Sequence, residues 1–138
     1  MVCVTSTNYV ILINGEPTYF FKGQRGLRQG FPLSPLLFLL VMEVFSKLIP
    51  KAHSEGHING VKVSTHTIRH LFFVDDVLLM GLGSRAEWSK FKEIVDLFCR
   101  ASSMKINERK SCFIFEGIEV EDINFISNNF QIEAFPLT

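Results

Sequence analysis

The stretch of the chain that decides its fold reads Leu71-Phe72-Phe73-Val74-Asp75-Asp76-Val77-Leu78-Leu79-Met80. Apolar runs of this length are typical of buried strands, and two like charges about 4 Å apart repel by roughly 4 kcal/mol at an effective dielectric near 20. Because consecutive strand residues point to opposite faces, we expect Asp75 and Asp76 to lie at a hairpin tip, where both can approach one cation. A solvated turn is the simpler alternative, because Asp favours turns.

A second segment, residues 26–38, reads GLRQGFPLSPLLF. Together with Phe73–Asp76 it closely resembles the reverse transcriptases of non-LTR (LINE-type) retrotransposons, especially those of plants, whose usual forms are GLRQGDPLSPLLF and, further on, FADD. The resemblance continues through NGEP at 14–17, LLVME at 39–43, SMKIN at 103–107 and KS at 110–111. Several independent motifs therefore occur in the correct order over nearly the whole chain.

The order of predicted elements indicates an α+β fold. Asn14-Gly15 is a strong hairpin-turn signal, Ser34 followed by Pro35 is typical of a helix start, and Ser84 with Glu87 forms a capping box. The near-continuous apolarity of the first helix predicts that it is buried. The expected elements are strands Tyr9–Ile13 and Thr18–Phe21, a helix from Pro35 to Ile49 that stops before Pro50, a loop over 51–60, strands Val61–Ser64, Ile68–Val74 and Val77–Met80, a helix from Ser84 to Ala101, strand Cys112–Phe115 and a weak helix Ile118–Asn129.

By resemblance, this order is that of part of a polymerase palm, a ferredoxin-like split βαβ sheet with helices on one face, preceded here by a β-hairpin. We expect residues 1–138 to form one such partial reverse transcriptase domain. Because the palm would be incomplete, some apolar surface of the first helix would stay exposed, and we expect the chain to self-associate.

Composition limits the classes of function only weakly. The chain has 138 residues with 14 Lys and Arg and 14 Asp and Glu, so its net charge is zero. The charges are uneven, because residues after Lys110 carry five acids and no Lys or Arg. Three cysteines are too few for a disulfide framework, so we expect an intracellular protein, nuclear or cytoplasmic. The strongest apolar run contains Glu43 and Lys47 and is too short to span a membrane.

The resemblance implies two-metal nucleotidyl transfer, in which Mg²⁺ or Mn²⁺ neutralises charge on a triphosphate and on the attacking hydroxyl. It assigns Asp75 as a metal ligand, Asp76 as its supporting neighbour and Lys110 as a group that protonates or neutralises the leaving pyrophosphate. The implied partners are an RNA template, a DNA primer and a deoxynucleoside triphosphate. The residues expected near nucleotide and template are Arg28, Gln29, Gly30, Phe31 and Ser34.

Departures from the family pattern weaken this assignment. Phe31 stands where the family usually has Asp, and Val74 stands where it has Ala. The family also needs an upstream carboxylate, and the only aspartates here are Asp75, Asp76, Asp96 and Asp122. Two carboxylates alone would hold metal weakly. We therefore expect the chain to be the second half of a palm and inactive by itself.

Three alternatives remain open. The chain could be an active polymerase whose upstream aspartate comes from another chain. It could be a non-enzymatic remnant that folds or binds without chemistry. A receiver domain also clusters acidic residues, but there the Asp pair follows the first strand, and here it lies in the middle of the chain.

Overall fold

The Asn14-Gly15 turn produces the predicted N-terminal hairpin in the computed structural model, which describes residues 8–23 and 30–137. Asn14 and Gly15 have φ of 51° and 88°, the positive values that a tight two-residue hairpin loop requires. The strands are shorter than predicted, because each is divided into two pieces. Antiparallel pairs join β1 (Asn8–Tyr9) to β4 (Phe21–Lys22) and β2 (Leu12–Ile13) to β3 (Glu16–Pro17).

The first helix, α1, spans Ser34–Ser54. The predicted end before Pro50 is wrong, since Pro50 lies inside the helix and residues 51–54 are helical rather than loop. Proline there removes one backbone hydrogen bond. Burial compensates, because apolar residues at helical spacing continue on both sides of it. The buried residues of α1 are Met42, Phe45, Ile49 and Ala52.

Helix α1 is buried along one stripe, and much of its remaining apolar surface is exposed, as also expected from the sequence. Leu36, Leu39, Leu40 and Val44 are between 56% and 64% exposed. Only one stripe of the helix, which starts near Met42, is covered. Several apolar side chains of α1 are therefore left uncovered by the described residues.

The chain divides into two units, Met1–Val41 and Met42–Thr138. The second unit contains two antiparallel hairpins and a parallel pair. The hairpins are β5 (Val61–Val63) with β6 (His66–Ile68), and β7 (His70–Phe73) with β8 (Asp76–Leu79). The parallel pair joins β9 (Cys112–Phe115) to β10 (Glu133–Pro136).

Two further helices complete this unit, α2 (Arg85–Ser102) and α3 (Val120–Phe130). A 3-10 turn, Glu108–Lys110, precedes β9. Helices α2 and α3 and strand β9 agree with the sequence prediction, whereas the predicted strand Ile68–Val74 is interrupted at Arg69 and β10 was not predicted. The fold is a mixture of helices and small sheets, and the described strands form five two-stranded sheets.

The core of the second unit lies around the apolar face of α2. Trp88, Phe91, Ile94 and Val95 are all less than 9% exposed, as their helical spacing predicts. The Trp88 ring contacts rings from α2, β9 and α3, with centroid distances of 5.1 to 5.9 Å. No helix in the described ranges is long and apolar enough to cross a membrane.

Candidate functional site

The two central aspartates lie at the tip of a β-hairpin. Phe73 pairs with Asp76 across β7 and β8, so Val74 and Asp75 form a two-residue loop. Asp76 is the first residue of β8, and both carboxylates belong to exposed residues. The hairpin predicted from the flanking apolar runs is therefore confirmed.

The loop has a backbone conformation that suits its sequence poorly. Val74 has φ of 55°, in the left-handed region where a β-branched residue is a true outlier. Such strain persists only where the surrounding structure enforces it. Here the four-residue ladders of β7 and β8 enforce a short connection. Nothing in the sequence pattern indicated this strain, because the position reads as a strand residue.

One face of this hairpin packs against helix α1. The Phe72 ring lies 5.6 Å from the Phe45 ring, and Phe45 in turn lies 4.7 Å from Phe98 of α2. His70 adds a polar contact, because its Nε2 lies 3.0 Å from the Ser46 hydroxyl. These contacts fix which side of the hairpin faces the helices.

The opposite face of the hairpin is open. Leu71 and Leu78 are paired across the strands and are 49% and 50% exposed, and Phe73 is 77% exposed. Cross-strand partners share a face, so Asp76, the partner of Phe73, lies on this open side. The hairpin thus presents an apolar surface ending in a carboxylate.

His70 was not predicted from the sequence to have a structural role. Burial lowers the pKa of the His70 imidazole below its ordinary value, and the positive charge of Arg69 lowers it further. The neutral ring is therefore favoured where it meets Ser46. The alternation of His70 with Phe72 could have placed it on the covered face.

Glu87 holds the two hairpins at their base. Glu87 is buried, with 1% of the residue exposed. Oε1 accepts hydrogen bonds from the backbone N–H groups of Asn59 at 2.7 Å and Gly60 at 3.0 Å, and Oε2 accepts one from Leu82 at 2.7 Å. A single side chain therefore closes the 59–82 segment that carries the aspartates.

The capping-box prediction is half correct. The Ser84 hydroxyl accepts a hydrogen bond from the Glu87 N–H, as expected. The Glu87 carboxylate makes its hydrogen bonds elsewhere, to the hairpin bases. Gly60 is suited to this close approach, since it has φ of 76° and a Cβ there would lie 2.7 Å from the Ile68 carbonyl oxygen.

The remaining predicted site residues lie outside the β7–β8 hairpin. Lys110 ends the 3-10 turn and is exposed, and among the described residues no ion pair joins it to Asp75 or Asp76. Gly30, Phe31 and Ser34 belong to the first unit. The predicted residues Arg28 and Gln29 lie outside the described ranges.

The segment before α1 has a local structure of its own. Gly30 has φ of 79°, and the Phe31 carbonyl accepts a hydrogen bond from the Ser34 N–H at 3.0 Å. Phe31 is half-buried. The glycine therefore serves a turn that leads into the helix.

The two carboxylates at the hairpin tip supply only some of the ligands that a hard cation needs. Carboxylate oxygens are the ligands that Mg²⁺ and Mn²⁺ accept. Within residues 8–23 and 30–137, no group of three or more His, Cys, Asp or Glu side chains could hold a metal ion. Asp75 and Asp76 would therefore leave most coordination positions to water or substrate.

The chain is similar to a known protein family and to two known proteins. A family described as "Reverse transcriptase (RNA-dependent DNA polymerase)" matches residues 2–130. An uncharacterized mitochondrial protein of Arabidopsis thaliana is 43% identical over 81 residues, which cover 57% of this chain and 62% of the relative. An uncharacterized 149 kDa protein of transposon TX1 from Xenopus laevis is 30% identical over 114 residues, covering 81% of this chain and 8% of that protein. The chain thus spans less than two thirds of either relative.

Proposed function

Because this chain belongs to the reverse transcriptase (RNA-dependent DNA polymerase) family, we propose that it is part of the palm of a polymerase from a LINE-type retroelement. The observation that carries the proposal is the β7–β8 hairpin, with Asp75 at its tip and Asp76 on its open face. Helices cover the other face. In this proposal, β7 and β8 are the central hairpin of a split βαβ palm sheet.

Within that palm, Asp75 and Asp76 would hold divalent metal ions, whose positive charge would neutralise the triphosphate and activate the attacking 3′-hydroxyl. Phe73, Leu71 and Leu78 form the surface beside the carboxylates. Lys110 neutralises the leaving pyrophosphate, and the 28–34 segment contacts the nucleotide and the RNA template. These last two roles come from the family resemblance.

The chain alone is proposed to be inactive, because two carboxylates cannot replace the full set that two metals need. We expect no extension of a DNA primer on an RNA template with either Mg²⁺ or Mn²⁺. Template-dependent extension that disappears in Asp75→Ala would contradict inactivity while supporting the polymerase assignment.

Metal binding is tested separately from activity. With about millimolar affinity, as in the weakest oxygen-ligand sites, Mn²⁺ should broaden amide NMR signals of residues 73–78. Asp75→Asn/Asp76→Asn should abolish this broadening. Glu119→Gln is the matched control, because Glu119 is an exposed acid of the C-terminal region and its loss should change nothing at the hairpin. Broadening centred on residues 119–122 instead would favour a folded remnant without a metal site.

A further inference from the structure

The chain contains two Asn-Gly pairs, and they lie in opposite surroundings. An asparagine before glycine loses its side-chain amide most readily, because a glycine without Cβ lets its backbone nitrogen approach the preceding side chain. The pairs are Asn14-Gly15, between β2 and β3, and Asn59-Gly60, directly before β5. Every other asparagine of the chain precedes a residue with a side chain. The two pairs therefore expose one chemistry to two environments.

The first pair is open to solvent. Asn14 and Gly15 are both exposed, and a Cβ built on Gly15 would meet no atom within 4 Å. Within residues 8–23 and 30–137, the hydrogen bonds of the turns and loops do not include the Gly15 N–H. The Gly15 nitrogen can therefore lose its proton to solvent and act as a nucleophile.

The second pair is held by a buried carboxylate. Glu87 Oε1 accepts the N–H of Asn59 at 2.7 Å and the N–H of Gly60 at 3.0 Å. Gly60 is buried as well. Attack by the Gly60 nitrogen would require it to give up the proton that it donates. Negative charge would then form beside a carboxylate out of water, where like charges repel most strongly.

We propose that Asn14 is a site of spontaneous deamidation in the folded chain, and that Glu87 protects Asn59 from the same reaction. The Gly15 nitrogen gives its proton to solvent and bonds to Asn14 Cγ. The Cγ–Nδ2 bond breaks, and the leaving amide takes a proton from solvent and departs as ammonia. Water then opens the resulting succinimide at either carbonyl, which leaves an aspartyl or an isoaspartyl residue. The inference goes beyond the proposed nucleotidyl transfer, because it needs neither Asp75 nor metal.

Either product changes the N-terminal hairpin. An aspartyl residue adds a negative charge two positions before Glu16. An isoaspartyl residue also routes the backbone through Cβ, which lengthens the loop by one atom. The two-residue loop fits the pairing of Ile13 with Glu16 because both of its residues have positive φ. The longer backbone would no longer match that pairing.

The test follows amide loss by mass spectrometry while the full chain is kept in mildly alkaline buffer. Trypsin separates the two pairs into peptides 1–22 and 52–62, and the same chain unfolded in urea gives the intrinsic rate at each pair. Asn14 should convert at a similar rate in the folded and the unfolded chain. Asn59 should convert more slowly in the folded chain by roughly tenfold to hundredfold, the effect of a hydrogen bond to a charged group. Equal protection of the two pairs, or an Asn14 that persists in the folded chain, would overturn the proposal.

Variants separate the role of Glu87 from general loosening of the fold. Glu87→Gln should speed conversion of Asn59 severalfold in the folded chain, because the negative charge beside the Gly60 N–H is lost, and should leave the Asn14 rate unchanged. Glu93→Gln removes an exposed carboxylate of the same helix and should alter neither rate. Ile126→Ala destabilises the fold at a fully buried position that makes no hydrogen bond to Glu87. Equal acceleration of Asn59 by Glu87→Gln and Ile126→Ala would contradict the protective role.

Discussion

At the scale of single residues, Val74 shows how the hairpin accommodates an unsuitable side chain. Its φ of 55° places the β-branched side chain in a region that costs an ordinary residue roughly 1–2 kcal/mol. The side chain is 71% exposed, so little burial offsets this cost. The strain is confined to the residue directly before Asp75.

We expect Val74→Asn to stabilise the chain by about 1 kcal/mol, because Asn tolerates the left-handed region. Urea denaturation followed by circular dichroism measures this change. Val63→Asn is the control, since Val63 is a 52% exposed strand residue without positive φ, and it should lose stability. A loss of stability in Val74→Asn would show that the valine side chain contributes contacts at the tip.

His70 gives the fold a dependence on pH. Its pKa is lowered by burial and by Arg69, so the unfolded chain binds this proton at higher pH than the folded chain does. The contribution of His70 to the free energy of unfolding is fully present above the ordinary pKa near 6.5. It declines as pH falls through the lowered pKa. Thermal unfolding of the wild type and of His70→Gln is measured between about pH 7.5 and 5. The melting temperature of the variant should fall less towards acid pH than that of the wild type. His57→Gln, at an exposed histidine, should behave like the wild type.

At the scale of elements, the apolar spacing and the turn residues of the sequence predicted most helices and turns. They did not predict the contacts that join these elements. The spacing of Trp88 and Phe91 predicts the covered face of α2, and Asn14-Gly15 predicts its hairpin. The end of α1 could not be predicted from Pro50 alone, because buried Ile49 and Ala52 outweigh the lost hydrogen bond. Such packing depends on segments distant in sequence.

Glu87 is the clearest example of that dependence. Glu87→Gln should lower the free energy of unfolding by roughly 2 kcal/mol, because an amide nitrogen would face a buried N–H that loses its acceptor. Hydrogen exchange should quicken at Asn59, Gly60 and Leu82 in particular. Glu93→Gln is the matched control, since Glu93 is an exposed partner of Lys90 and should cost no more than about 0.5 kcal/mol. Equal effects of the two substitutions would contradict the role of Glu87 in holding the hairpin bases.

At the scale of the whole molecule, exposed apolar surface is the dominant feature. Helix α1 and the open hairpin face both leave large side chains in water, and patches of this kind favour association. The candidate site could also be predicted only in part. The motif predicts Asp75 and Asp76 at one tip, whereas the positive φ of Val74 and the contact of His70 with Ser46 are known only from the structure.

We expect the chain to self-associate at roughly tens of micromolar, as sedimentation velocity can measure. Leu39→Lys/Leu40→Lys should shift the distribution towards monomer, because both residues are more than 60% exposed on α1. Val120→Lys is the control, since Val120 is 71% exposed and lies on α3 rather than α1. A sharp monomer peak for the wild type would rule out this expectation.

The pairing of strands that are neighbours along the chain also bears on how quickly the fold can form. The β7–β8 ladder closes over a loop of two residues, and such hairpins form in about 1–10 μs. The parallel β9–β10 pair must instead wait until the chain has crossed through α3. Local ladders carry a small loop-closure entropy. The strand that bears Asp76 can therefore acquire its register early in folding, before the C-terminal crossover is complete.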